Sequence, residues 1–226
     1  SNNFVIENLK NRIFNIPTED RSSLFRAFFF FYVVLGSWYS IRPVRNEMAV
    51  QAGLENLPGL LSIVLLVMLI ANPIYSWLVS RINRNKVVLY FYLFFILNLL
   101  IFFFSWLLLD ESWKPMIAKS FYIWCNFFSF FVVSIFWVSM INFFNGSQAK
   151  LYFGIISAGG SIGAFSGSSV ARVFSTQVCG SVSLSEWGPF SLILISVFSL
   201  SIACFLSMSF KSEAVSEEED LSGSAI

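Results

Sequence analysis

The stretch VVLYFYLFFILNLLIFFFSWLLL occupies residues 87–109 and contains no charged side chain. As an α-helix, a segment of this length rises about 35 Å at roughly 1.5 Å per residue. That rise is enough to cross the hydrocarbon core of a bilayer, which is roughly 30 Å thick. A surface helix of a soluble protein carries charged residues on one face, and this stretch has none. It therefore predicts a transmembrane helix.

Five further apolar stretches of similar length flank it, separated by charged or Pro/Gly-containing breaks. The composition agrees, with 57% hydrophobic and 12% charged residues and a mean hydropathy of +0.74, whereas soluble domains are about a quarter charged. The predicted fold class is an all-α membrane protein of six transmembrane helices surrounded by a lipid bilayer. The six spans are placed near Leu24–Ile41, Leu57–Val79, Val87–Leu109, Met116–Phe144, Leu151–Phe174 and Phe190–Phe210.

Lys and Arg residues indicate the orientation, because they accumulate in cytoplasmic connections. With the N-terminus inside, the cytoplasmic side would carry Lys10, Arg12, Arg21, Arg26, Arg81, Arg84, Lys86, Lys150 and Lys211, and the outer side Arg42, Arg45, Lys114, Lys119 and Arg172. An even number of spans returns the chain to its starting side, so both termini are expected in the cytoplasm. A bacterial-type cytoplasmic (inner) membrane is the expected location. Tryptophans fall near the predicted span ends, as in an interfacial belt, at Trp38, Trp77, Trp106, Trp113 and Trp187.

The chain divides into three predicted segments. Residues 1–22 have apolar side chains at helical spacing and are expected to form an amphipathic cytoplasmic N-terminal segment. Residues 23–211 hold the six-span bundle. Residues 212–226 are polar and carry a run of acidic side chains that repel one another, so a disordered tail or linker is expected there.

The absence of histidine removes many chemistries from consideration. With no His and three Cys residues, the chain cannot assemble a His/Cys metal site or a His-based triad. A net charge of +1 without a basic cluster does not favour nucleic-acid binding. We therefore expect no enzyme activity, no metal ion, no cofactor and no nucleic-acid partner.

The segment IRPVRNE, residues 41–47, is the main candidate for a binding site. It places Arg42, Arg45 and Glu47 at the predicted outer end of the first span, and charges beside a bilayer usually face protein or a water-filled cavity. If the helix persists past Pro43, the two arginines share a face and would clamp an anionic group. The alternative is that both reach for the interface or pair with Glu47.

Three asparagines within the spans are weaker candidates for substrate binding. Asn72 precedes Pro73, which breaks the hydrogen-bond ladder of the second span. Asn126 and Asn142 each add an amide to the fourth span. The kink at Pro73 can serve gating, and the alternative for Asn126 and Asn142 is a structural hydrogen bond between helices.

The fifth span contains Gly159, Gly163 and Gly167 at four-residue intervals. Small residues in this register allow another helix backbone to approach closely. The partner is either a helix of the same bundle or a second six-helix unit, and the length of the row favours the second.

The number of spans, the short basic turn 77–86 (WLVSRINRNK) and the glycine-rich fifth span resemble the N-terminal half of a major facilitator superfamily transporter. Within that superfamily, residues 41–46 are similar to the segment that ends the first span of the nucleotide (ATP/ADP) translocase branch. Arg45 stands at the place of the lysine that this branch uses to bind nucleotide, while Pro43 and Asn46 replace its aspartates.

The resemblance implies a secondary-active transporter, or its N-terminal half, that works by alternating access on an anionic metabolite such as a nucleotide. Its partner would be a second six-helix half or a second copy of the chain. The alternative function is a non-transporting six-helix membrane scaffold or assembly factor.

Overall fold

The computed structural model describes residues 18–82, 84–144, 149–177 and 188–223, and this part of the chain is almost entirely helical. Two short 3-10 turns, Leu54–Asn56 and Glu111–Trp113, precede the second and the fourth of its long helices. The long helices are α1 (Thr18–Gln51), α2 (Leu57–Arg81), α3 (Arg84–Leu108), α4 (Lys114–Phe143), α5 (Ala149–Gln177) and α6 (Gly188–Gly223).

Each predicted span falls on one of these helices. The C-terminal ends of α3 and α4 differ by one residue from the prediction, and their first residues differ by three and two. In the described residues, five helices are long and apolar enough to cross a bilayer, namely all except α5. The prediction of a helical, multi-pass membrane protein is confirmed at this level. Helix α5 lacks the apolar length because its middle is built from glycine, alanine and serine.

Helix α1 lies at the centre of the bundle and packs against α4, α5 and α6. Its Phe30 is fully buried and contacts the rings of Phe136 on α4 and Phe210 on α6, with ring centres 5.0 and 6.1 Å apart. Helix α3 packs on α4 and α6, whereas α2 packs mainly on α4 and has Leu60 as its one buried described side chain. Helix α2 is therefore the most peripheral part of the described bundle.

Helix α1 does not end at Pro43 but continues for two more turns to Gln51. The proline removes one backbone donor, and the turns on either side retain helical structure. The chain then reverses at Gly53, whose φ of +90° is rarely adopted by other residues. The charged segment that follows the predicted end of the first span is thus part of a continuous helix, which brings Arg42 and Arg45 onto neighbouring turns.

The glycines of α5 lie directly against the backbone of α1. A Cβ added at Gly159 would be 2.5 Å from the carbonyl oxygen of Phe28, and one at Gly167 would be 2.5 Å from the carbonyl oxygen of Gly36. A Cβ at Gly163 would overlap the carbonyl of Tyr32. The row therefore faces a helix of its own bundle, and the preference for a second six-helix unit does not describe these three residues, because α1 already covers them.

At the C-terminal end, α6 extends past the predicted sixth span, and the disordered tail or linker at residues 212–226 stays a prediction. Helix α6 continues through residues 212–223, although this stretch is acidic. Its glutamates and alanine are good helix formers, and no glycine or proline interrupts the stretch before Gly223. The predicted N-terminal segment 1–22 lies mostly outside the described residues, which begin with the first turn of α1.

Candidate functional site

Arg45 links α1 to α4 through its guanidinium group. Its Nη1 donates to Oδ1 of Asn126 at 3.4 Å, and its Nη2 and Nε donate to Oδ1 of Asn46 at 3.0 and 3.3 Å. The guanidinium carbon lies 5.6 Å from the ring centre of Trp38, within the range of a cation–π interaction. Arg45, Asn126 and Trp38 are half-buried, and Asn46 is exposed. We call these four residues the Arg45 cluster.

The cluster lies well inside the length of α4. Asn126 is about 18 Å from the start of α4 at Lys114, at roughly 1.5 Å per residue. Charges at such depth in a bilayer face protein or a water-filled cavity. The half-buried position of Arg45 and its bond across to α4 agree with that preference.

No carboxylate among the described residues forms a salt bridge with Arg42 or Arg45. Glu47 is exposed and accepts a bond of 3.4 Å from Nε2 of Gln51, one turn further along α1. The alternative in which both arginines pair with Glu47 is therefore not what the structure has. Among the described residues, the guanidinium of Arg45 contacts amide oxygens and one aromatic ring.

Arg42 is exposed and lies against a different ring from Arg45. Its guanidinium carbon is 5.7 Å from the ring centre of Tyr39. Because the helix continues past Pro43, the two cations sit one turn apart near the same end of α1. Arg42 is thus a second cation beside the cluster, with an exposed side chain.

The other predicted site residues lie elsewhere. Asn72 is exposed on α2, and its Nδ2 donates to the carbonyl oxygen of Met68 at 2.9 Å, so it serves its own helix next to Pro73. Asn142 is about 24 Å from Asn126 along α4, at roughly 1.5 Å per residue. It lines a separate cavity near the end of that helix. The structure brings Asn126 together with Arg45, and it separates Asn72 and Asn142 from them.

Two members of the cluster, Trp38 and Asn46, were not predicted as site residues. Trp38 was assigned to the interfacial belt, yet it precedes Arg45 by seven residues, which is close to two helical turns and places both side chains on one face. Asn46 was treated only as a replacement within the motif. The seven-residue spacing was the available signal for Trp38.

An aromatic wall continues the cluster into α4. The ring of Trp38 is 6.0 Å from Phe128, which stacks on Trp124 with ring centres 5.1 Å apart. In the described part of the chain, Nε1 of Trp124 is buried without a hydrogen-bond partner. The cation therefore borders a rigid aromatic surface.

This arrangement is suited to binding an anion. An arginine has five N–H donors, and the three bonds of Arg45 leave two of them without a partner among the described residues. Hydrogen bonds between a guanidinium and a carboxylate or phosphate are stronger than those to a neutral amide. The 3.4 Å bond to Asn126 is long, so an anionic oxygen would be a better partner for Nη1.

The described residues contain no group of His, Cys, Asp and Glu that could hold a metal ion. Comparison with protein-family models, with curated proteins and with solved structures found no match for this chain. Support for a function therefore comes from the chemistry and geometry of its own residues.

Proposed function

We propose that this chain is a transport unit, the N-terminal half of a secondary-active transporter or a half-unit that pairs with a second copy, and that it binds an anionic metabolite. The observation that carries the proposal is Arg45, a half-buried cation held by neutral partners at the contact of α1 and α4. Keeping an unpaired charge inside a bilayer is costly. An anion that enters and leaves would offset this cost during transport.

The outward face of α5 supports a partner unit. Its exposed positions combine small residues with three large apolar ones, namely Gly154, Ser157, Ala158, Ser161 and Ser168 with Ile162, Phe165 and Val173. Helix surfaces that contact other membrane helices are enriched in small residues, whereas lipid-facing surfaces carry large apolar side chains. The low hydropathy of α5 is tolerated in a bilayer if protein covers this face. A second six-helix half, or a second copy of the chain, would do so.

In the proposed topology, six spans cross an inner membrane and both ends lie in the cytoplasm. Arg42 and Arg45 then sit near the outer end of α1, and substrate reaches them from the outer side or from a cavity between two halves. The likeness of residues 41–46 to the nucleotide translocase branch supports a phosphate-bearing substrate, for which the paired donors of arginine are well suited.

Transport assays of the chain together with its partner unit test this proposal. Proteoliposomes loaded with ATP, ADP, inorganic phosphate or a dicarboxylate are diluted into radiolabelled substrate, and uptake is measured. We expect Arg45→Ala to weaken binding of the transported anion by roughly ten- to a hundredfold, because each lost charge-assisted hydrogen bond is worth about 1.5–3 kcal/mol. Arg45→Lys keeps the charge but loses the paired geometry, so an intermediate effect is expected.

A matched control is Lys114→Gln. Lys114 also lies over a tryptophan, with its Nζ 5.4 Å from the ring centre of Trp106, but it forms a salt bridge with Glu111 at the exposed start of α4. Its loss should leave uptake unchanged. If Arg45→Ala transports every anion as the parent does, Arg45 is an anchor and the proposal fails.

The same assay distinguishes a transporter from a non-transporting scaffold or assembly factor. A scaffold would show no saturable uptake of any anion, with or without its partner unit. Saturable uptake that Arg45→Ala reduces and Lys114→Gln does not is expected of a transporter alone.

A further inference from the structure

A cavity of about 550 Å³ opens between the end of α2, the start of α3 and the end of α4. It is separate from the Arg45 cluster, since Asn142 on its wall is about 24 Å from Asn126 along α4. Its depth is limited, because Tyr75, a lining residue of α2, is only about 9 Å from the end of that helix at Arg81. In the proposed six-span topology, this position is close to the level where lipid head groups meet the acyl chains.

One part of the cavity wall consists of neutral polar side chains. Tyr75, Ser76, Ser139 and Asn142 line it. None of the four side chains has a hydrogen-bond partner in the described part of the chain, and the hydroxyl oxygen of Tyr75 is buried. Of the four, only Tyr75 has a buried polar atom without a partner, which is costly. Ser139 is half-buried, and Ser76 and Asn142 are exposed. The four groups together offer donors and acceptors to one occupant.

The ring of Tyr75 is fixed in place by its neighbours. Its ring centre lies 5.5 Å from Phe91 on α3 and 5.0 Å from Phe131 on α4. These contacts hold the ring between α3 and α4. The Tyr75 hydroxyl thus lacks a hydrogen-bond partner among the described residues although its ring is well packed.

The rest of the wall is branched and apolar, and includes Val79, Val87 and Ile135. Among the residues whose side chains the structure describes, no charged one lines the cavity. Two exposed cations, Arg81 and Lys86, are next to lining residues in the chain. A soluble anion or a sugar would leave the valine and isoleucine walls without apolar contact. The wall is suited to an amphipathic occupant.

We propose that this cavity binds a phospholipid of the adjoining leaflet. Tyr75, Ser139 and Asn142 hydrogen-bond the glycerol, ester and phosphate oxygens, and the apolar wall covers the first carbons of an acyl chain. Arg81 and Lys86 attract the phosphate at the mouth. Basic sites between helices at the cytoplasmic side of membrane proteins bind anionic head groups in this manner. The bound lipid fills the space where α2 diverges from α4.

Native mass spectrometry of the full chain in detergent, titrated with phosphatidylglycerol, tests the proposal without any transport measurement. We expect one tightly held lipid per chain. Tyr75→Phe keeps the ring contacts and removes only the hydroxyl, so it should raise the dissociation constant by about two- to tenfold. Asn142→Leu should have an effect of similar size. Tyr90→Phe, which removes an exposed hydroxyl from α3, is the matched control and should leave binding unchanged.

Two further arms keep the test decisive. Glycerol 3-phosphate carries the same phosphate ester without acyl chains and should not displace the lipid. If it displaces the lipid with equal affinity, the cavity binds a soluble phosphate ester and the lipid proposal is wrong. Val138→Trp fills the cavity and should abolish lipid retention while the thermal unfolding midpoint stays at or above that of the parent. Retained binding in this variant, or equal losses in Tyr75→Phe and Tyr90→Phe, would overturn the proposal.

Discussion

The contact between α1 and α5 makes a sharp prediction for single methyl groups. At Gly163 an added Cβ would overlap the backbone carbonyl of Tyr32, and a backbone atom cannot rotate aside as a side chain can. At Gly154, on the same helix, nothing lies within 4 Å of an added Cβ. Gly163→Ala and Gly154→Ala therefore introduce the same group into opposite environments.

The expected effects have opposite signs. Overpacking a tight contact costs about 1–3 kcal/mol, whereas replacing a helical glycine by alanine gains roughly 0.5–1 kcal/mol. Gly163→Ala should thus lose up to about 2.5 kcal/mol overall, and Gly154→Ala should gain roughly 0.5–1 kcal/mol. For a chain of this size, each kcal/mol corresponds to about 2–4 °C in the unfolding midpoint.

Thermal unfolding in a single detergent, followed by tryptophan fluorescence, measures the difference. Gly163→Leu should lower the midpoint further, because a larger side chain forces α1 and α5 apart. Gly36→Ala is a useful third variant. Its Cβ would lie 3.6 Å from the carbonyl oxygen of Gly163, an ordinary contact distance, so this substitution should be tolerated. Equal midpoints for Gly163→Ala and Gly154→Ala would refute the close contact.

Two polar contacts of α1 provide further predictions. The hydroxyls of Ser37 and Ser196 lie 2.6 Å apart in a buried contact between α1 and α6. A double-mutant cycle with alanine should give a coupling energy of about 0.6 kcal/mol, which is typical of hydrogen bonds between membrane helices. A coupling energy of zero would contradict this hydrogen bond. At the start of α1, Asp20 accepts a 2.6 Å bond from the hydroxyl of Tyr152. Tyr152→Phe should lower the free energy of unfolding by about 1.5–3 kcal/mol, measured by denaturant titration. An unchanged free energy of unfolding would contradict a stabilising role for this hydrogen bond.

The sequence alone allowed the helices to be located. A bilayer requires long, uninterrupted apolar segments, so the predicted spans could be read directly from the chain. Each falls on one long helix, and five of these helices are apolar enough to cross a bilayer. The largest differences between the predicted spans and the helices lie at the C-terminal ends of α1 and α6. The continuation of α1 beyond Pro43 and of α6 through the acidic stretch depends on short-range preferences that an apolar window does not measure.

The candidate site was only partly accessible from the sequence. Arg45 could be singled out because an isolated charge beside an apolar span is unusual, and Asn126 because it is an amide within one. Their contact joins residues 81 positions apart, and no periodicity within one helix specifies it. Asn72 and Asn142 carry the same kind of signal as Asn126, yet the structure places them away from Arg45.

What the sequence by itself determined is therefore the helices and the close-packing surface on α5, because the length of an apolar segment and the spacing of its glycines are local properties. The tertiary structure decided which helix covers that surface, that Arg45 reaches α4, and that a polar cavity opens where α2 leaves α4. The physical reason is that lipid tails are as apolar as the side chains of the spans. Hydrophobicity drives segments into a membrane without selecting their neighbours, and that selection depends on shape and hydrogen bonds between distant residues.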